Sequence, residues 1–238
     1  MSQLLIALAG KSGSGKSAIA EMIADEYGIP EIKTYTTRPR RDEHDNSHKW
    51  TIEQYYDPAK VVCETEYGGY RYWTQTDQIV DMEQVIIVDL NGIRQLTDKD
   101  YNVLPIFLQA DMVTRMRNLV AEYEGKGFDE KQAIEKAQDR ISRDTGWDEI
   151  LIDRGGIVYI DFEDTIEDVL AKVVKVIERA RKRLDYRELF HRFTAGENSR
   201  ACPSDIGLDD IGLEGDSYCY DMPCQECWKL ALKRDVEE

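Results

Sequence analysis

The sequence predicts a mixed α/β fold, helices packed around a central parallel sheet, with a smaller segment of different character at its C-terminal end. Three observations carry that expectation. Residues 4–9 form an apolar run that passes through a glycine-rich turn into a helical pattern. Two further apolar runs, one from Val85 that ends in Asp89 and one at 103–108, are unbroken by alternation, as strands buried on both faces of a parallel sheet should be. Helical periodicity then fills much of the chain after them.

The composition agrees. Of 238 residues 42% are hydrophobic, enough to build a core. The net charge is −16, which opposes a broad grip on duplex nucleic acid, because neutralising phosphates needs clustered Lys and Arg. A local positive pocket for a single nucleotide is not excluded. No apolar run reaches the length of a membrane span, and the first residues lack a basic region followed by a cleavage site. A cytoplasmic protein is expected.

The first turn, Gly10-Lys11-Ser12-Gly13-Ser14-Gly15-Lys16-Ser17, fits G-x-x-x-x-G-K-[ST] at every position. Glycines permit backbone angles and close approaches that side chains would block. Successive amides can then cradle phosphates at the positive end of a helix. Lys16 supplies a point charge to the outer phosphates, and the Ser17 hydroxyl suits Mg²⁺. The loop predicts nucleotide binding. Residues 18–27 follow as a helix with Ile19, Met22, Ile23 and Tyr27 on its apolar stripe, stopped by Gly28-Ile29-Pro30. Residues 31–35 read as a short strand. It runs into Thr36-Thr37-Arg38-Pro39-Arg40-Arg41, whose arginines suit a guanidinium clamp on phosphate or, more plainly, a solvated loop.

Together, the glycine-rich loop and this arginine segment resemble the guanylate kinases, among the P-loop nucleoside-monophosphate kinases. The resemblance covers about residues 1–180. It implies a three-layer P-loop NTPase fold with an acceptor-binding insertion near 35–80 and a lid near 115–145. It also implies that Arg38 and Arg41 hold the acceptor phosphate, with Thr34 and Thr37 nearby and Arg40 able to substitute. His48 takes the place of a family tyrosine. Tyr72 and Thr74 match the segment G-x-Y-Y-G-[ST], in which Trp73 replaces a glycine. By their residue types alone, Tyr67, Tyr70, Tyr72 and Trp73 also make a good aromatic strand. Cys63 falls where the family carries a base-reading glutamate, with Glu64 beside it. Asp89 keeps the second carboxylate of D-x-D-x-x-G, and Ile87 stands at the first. In the family's terms Asp89 contacts the acceptor base or holds Mg²⁺ through water; as a strand-end aspartate it equally reads as a helix cap.

Residues 111–123 predict a helix with Met112, Met116, Leu119 and Val120 inward, and 130–144 another with Ile134, Ala137 and Ile141 as its seam. The resemblance makes this pair the lid. Lys16, Arg38, Arg140 and Arg143 are then expected on the reacting phosphates, with Arg115 a weaker candidate. A last strand at 157–160 leads to a long helix at 165–193, with Ile166, Val169, Leu170, Val173, Val174 and Ile177 inward.

The expected domains are 1–193 and an acidic tail at 194–238. The tail holds Cys202, Cys219, Cys224 and Cys227, four thiols that suit a tetrahedral Zn²⁺ site but also fit an acidic tail with reduced cysteines. Its partner is not specified. The expected activity is Mg²⁺- and ATP-dependent phosphoryl transfer to a (deoxy)nucleoside monophosphate, GMP or dGMP first. The alternatives are a P-loop kinase for another phosphorylated small molecule, and an inactive guanylate-kinase-like binding module.

Overall fold

The structure, a computed structural model, describes residues 4–40, 48–51, 55–144 and 156–194; for Trp50 and for 183–194 it describes the backbone alone. The chain divides into two compact units, 1–177 and 178–238. Everything below concerns the first, apart from the later turns of the last helix.

In chain order the elements are β1 (Leu5–Ala9), α1 (Lys16–Tyr27), β2 (Glu31–Ile32), β3 (Tyr35–Thr36), β4 (Lys49–Trp50), β5 (Val61–Tyr67), β6 (Tyr70–Gln75), β7 (Gln84–Ile87), α2 (Leu90–Asp98), β8 (Val103–Ala110), α3 (Met112–Gly125), α4 (Glu130–Ser142), β9 (Gly156–Ile160) and α5 (Ile166–Thr194). Five of the strands form a sheet in the order β2-β7-β1-β8-β9, every neighbouring pair parallel. This is the predicted α/β architecture with a parallel centre. The apolar runs occupy its middle: all five residues of β1 are fully buried, as are Val85, Ile86 and Ile106. One face, from Leu5, Ala7 and Ile86, packs on Leu96 of α2 and on Val62 and Cys63 of β5. Burial on this scale is the main favourable term in folding.

A second sheet, β4-β3-β6-β5, is mostly antiparallel. Its hairpin turns on Gly68 and Gly69, at φ 62° and 77°, the two left-handed residues that a tight two-residue hairpin requires. The segment predicted as one strand at 31–35 is in fact two: β2 pairs with β7 in the first sheet and β3 with β6 in the second. The chain changes sheets between them, at Lys33 and Thr34.

Several side chains depart from the expected helix faces. Tyr27 closes α1 on its exposed side, Met112 stands 64% exposed where α3 begins, and the seam of α4 is Ala133 and Ala137, with Ile134 exposed. Ile166 and Val174 of α5 are half-buried beside fully buried Val169, Leu170, Val173 and Ile177. Ala133 and Ala137, four residues apart, share one face of α4, and Ile134 stands one residue off it. No described helix is long and apolar enough to cross a membrane.

Candidate functional site

The site begins where β1 ends. Gly10, Gly13 and Gly15 adopt φ of 150°, 80° and 86°, and Gly15 is the residue on which α1 starts. At Gly13 a Cβ would lie 2.6 Å from the Arg115 carbonyl oxygen and 2.9 Å from Leu119, so α3 lies directly against the loop. The result is a run of backbone amides at the N-terminus of a helix, an arrangement that favours anions. Lys16 as a residue is only half-buried, but its ammonium turns inward and donates to the Gly10 and Lys11 carbonyls at 2.7 and 2.9 Å. Burial, and secondarily the Arg140 charge, push its pKa down to about 7; Asp144 partly offsets them. Ser17 is exposed into the cleft.

The loop is braced from the helices that follow β8. Asp144, just beyond α4, accepts from the Ser12 amide at 3.0 Å and the Ser12 hydroxyl at 2.8 Å. Arg115 of α3 donates to Asp144 and, at 2.8 Å, to the Ser12 carbonyl, and Asn118 donates to the Gly13 carbonyl at 3.0 Å. The Arg115 and Asp144 side chains are each only 7% exposed. Such an ion pair stands on satisfied hydrogen bonds. Arg115, the weaker lid candidate, is therefore spent on holding the loop. Arg140 lines the cleft and pairs with Glu122 at 3.1 Å, whereas Arg143 is exposed and pairs with Asp139 at 2.6 Å.

From the glycine loop one cleft of about 740 Å³ runs to the second sheet, and Thr34, His48, Tyr72, Thr74 and Asp89 line it together with Lys16 and Ser17. Thr34 Oγ1 and His48 Nδ1 share a hydrogen bond of 2.7 Å, and the His48 ring meets Tyr72 edge-on. Asp89, at the carboxyl end of β7, caps α2 by accepting from the Gly92 amide at 2.7 Å; its other oxygen accepts from Thr65 Oγ1 at 2.6 Å. The helix-cap reading of Asp89 is realised, and the residue faces the cleft as well. Arg38 is buried and donates to the Pro39 carbonyl at 3.1 Å, and Thr37 Oγ1 accepts from the Arg71 amide at 3.0 Å; neither lines the cleft. Arg40 is exposed. Arg41 and the four tail cysteines, Cys202, Cys219, Cys224 and Cys227, lie outside the described residues. Among the described residues no group of three or more His, Cys, Asp or Glu is arranged to hold a metal.

No family model matches the chain, and no curated protein matches it significantly. Among solved structures, an uncharacterized protein from Eubacterium ventriosum aligns at 16% identity and a TM-score of 0.40, over 74% of this chain and 98% of that one. A sugar kinase from a Janibacter species aligns at 12% identity and a TM-score of 0.39, over 75% and 95%. These likenesses are too slight to argue from.

Sequence reading missed Asp144, Asn118 and Thr65. Asp144 carried a weak signal, as a carboxylate at the expected end of a helix rich in arginine. Thr65 would have followed from recognising 61–67 as a strand, since it stands two residues from Cys63 on the same face.

Proposed function

We propose that this protein transfers the γ-phosphoryl group of ATP, as its Mg²⁺ complex, to a (deoxy)nucleoside monophosphate. The observation that supports the reading best is one cleft lined both by Lys16 and Ser17 of the glycine loop and by Thr34, His48, Tyr72, Thr74 and Asp89. It gives two phosphorylated ligands room to meet. In this reading the loop amides from Gly13 to Ser17 and the Lys16 ammonium take the donor phosphates, the ammonium exchanging the Gly10 and Lys11 carbonyls for phosphate oxygens. Arg140 faces the transferred group, where charge spreads over its oxygens. His48 and Tyr72 orient the acceptor phosphate. The acceptor oxygen is already ionised near neutral pH, so no side-chain base is required; alignment and electrostatics supply the rate.

The donor set at the cleft suits a hard divalent ion: the Ser17 hydroxyl and the Asp89 carboxylate, both oxygen ligands, would hold Mg²⁺. When bound it neutralises charge between the donor phosphates.

The test is ADP release with Mg·ATP across ribo- and deoxynucleoside monophosphates, GMP and dGMP included, beside Lys16→Ala. Turnover is expected, with a loss of about a thousandfold in the variant and unchanged folding by circular dichroism. ATP binding without turnover on any monophosphate would overturn the reading and leave a kinase for another phosphorylated acceptor, or a binding module.

A further inference from the structure

This inference rests on the donor site above and concerns how the glycine loop tells a triphosphate from a diphosphate. The Ser12 amide and hydroxyl donate to the two Asp144 oxygens at 3.0 and 2.8 Å, and the Ser12 carbonyl accepts from Arg115 Nε at 2.8 Å. Ser12 is thus held at its amide, its hydroxyl and its carbonyl at once. Arg115 closes the ring by donating to Asp144 through Nη2. One residue on, the Gly13 carbonyl accepts from Asn118 at 3.0 Å.

The peptide unit turns these contacts into an aim. The described peptide bonds are all trans, and a trans unit points its C=O and the following N–H in opposite directions. Arg115 draws the Ser12 carbonyl toward α3, so the Gly13 N–H points away from α3. Asn118 turns the Ser14 amide in the same way, but that amide donates within the loop, to the Lys11 carbonyl at 3.2 Å. Flipping the 12–13 peptide would take the acceptor from a buried guanidinium and set an amide donor beside it, which is costly.

The order of groups along the loop decides which phosphate this amide meets. The Lys16 ammonium rests on the Gly10 and Lys11 carbonyls, at the front of the loop, and a phosphate-loop lysine pairs with the outer phosphates. The Ser12 amide is spent on Asp144. Among the amides from Gly13 to Ser17, Gly13 therefore stands nearest the lysine's end, where a third phosphate arrives. Asp144 lines the cleft beside it. A bare carboxylate there would repel that phosphate, and the ion pair with Arg115 covers its charge.

We propose that Arg115 and Asp144 are positioning residues: acting through Ser12, they aim the Gly13 amide at the third phosphate and so make the loop select nucleoside triphosphates over diphosphates. The test is calorimetric binding of Mg·ATP and Mg·ADP to the full chain. It compares the wild type, Arg115→Met, and the double variant Arg115→Met, Asp144→Asn, in which no charge is stranded. The wild type should bind ATP at least about tenfold more tightly than ADP. Both variants should lose that preference, ATP weakening by about tenfold or more and ADP by less than about threefold. Equal losses for the two nucleotides would mean that the pair only stabilises the loop. A double variant that regains the wild-type preference would mean that Arg115 only covers a charge. Either result overturns the proposal, as does a wild type without preference. If Arg115→Met fails to fold, the double variant decides by the same ratio. A wild type that binds neither nucleotide removes the donor-site reading itself. An intact ATP preference, lost in both variants, with no turnover of any monophosphate removes the kinase reading and leaves this proposal standing.

Discussion

Gly13 shows how little freedom the loop has. Its φ of 80° is one that L side chains rarely adopt, and an added methyl would meet the Arg115 carbonyl oxygen at 2.6 Å. Both penalties fall on Gly13→Ala, strain of about 1–3 kcal/mol and displacement of α3 at a similar cost. The variant should melt several degrees lower and lose ATP binding; an unchanged melting temperature would show that α3 yields freely. Cys63 is constrained differently. Burial holds its thiol neutral up to about 11, against an ordinary value of 9.0. The folded state therefore keeps a proton that the unfolded chain releases above pH 9, so stability falls as pH rises from 9 through 11. The effect is about 2 kcal/mol, and it should be missing from the unfolding free energies of Cys63→Ser measured across that window. At pH 8 the native thiol should also resist iodoacetamide, read on the Cys63 peptide by mass spectrometry. The glycine pattern could be read from sequence because it depends on backbone conformation alone. The neutrality of Cys63 could not, because it comes chiefly from burial of β5 under α2.

Between elements, the Asp144–Arg115 pair joins the end of α4 to α3 and both to the glycine loop. Removing one partner from a buried pair strands the other charge, so Asp144→Ala should lower the urea unfolding free energy by about 3–5 kcal/mol. Asp144→Asn keeps an acceptor for Ser12 and should lose less. The double variant Asp144→Leu, Arg115→Met removes both charges and should recover part of the loss; a double-mutant cycle with no coupling would deny the brace. The elements themselves were largely legible. The runs beginning at Val85 and Val103 became β7 and β8 because burial on both faces leaves an unbroken apolar signature. The switch of sheets after β2 was not legible, since two-residue strands carry almost no pattern. Nor was the brace, because it pairs residues 132 positions apart and sequence neighbours give no hint of it. The helix faces were misread at Met112 and Ile134: the buried positions are Thr114, Arg115 and Leu119 in α3 and Ala133 and Ala137 in α4.

At the scale of the whole chain, charge is the dominant fact. Forty-seven acidic residues against 31 basic ones leave −16. Like charges repel more strongly when the chain is compact, so this excess opposes folding, and salt should relieve it. The screening length shrinks from about 30 Å at 0.01 M to about 8 Å at 0.15 M, which covers most separations across a domain. The proposed ligands are anionic too, so binding depends on a local positive field. Lys16 and Arg140, with the N-terminus of α1, supply it against the carboxylates of Glu31, Glu64, Glu66, Asp89 and Asp144 in the same lining. Two consequences differ in sign. Raising KCl from about 0.01 to 0.15 M should raise the melting temperature of the free protein, because long-range repulsion among surface carboxylates is screened. The further rise produced by a fixed excess of Mg·ATP should shrink over the same range, because the local attraction is screened as well. Scanning calorimetry at both salt concentrations, with and without Mg·ATP, separates the two. A free protein that melts lower in salt would mean that attractive surface pairs such as Lys172–Asp164 outweigh the net repulsion. A ligand-induced rise that grows with salt would mean that the acidic surface, and not the cleft, governs nucleotide binding.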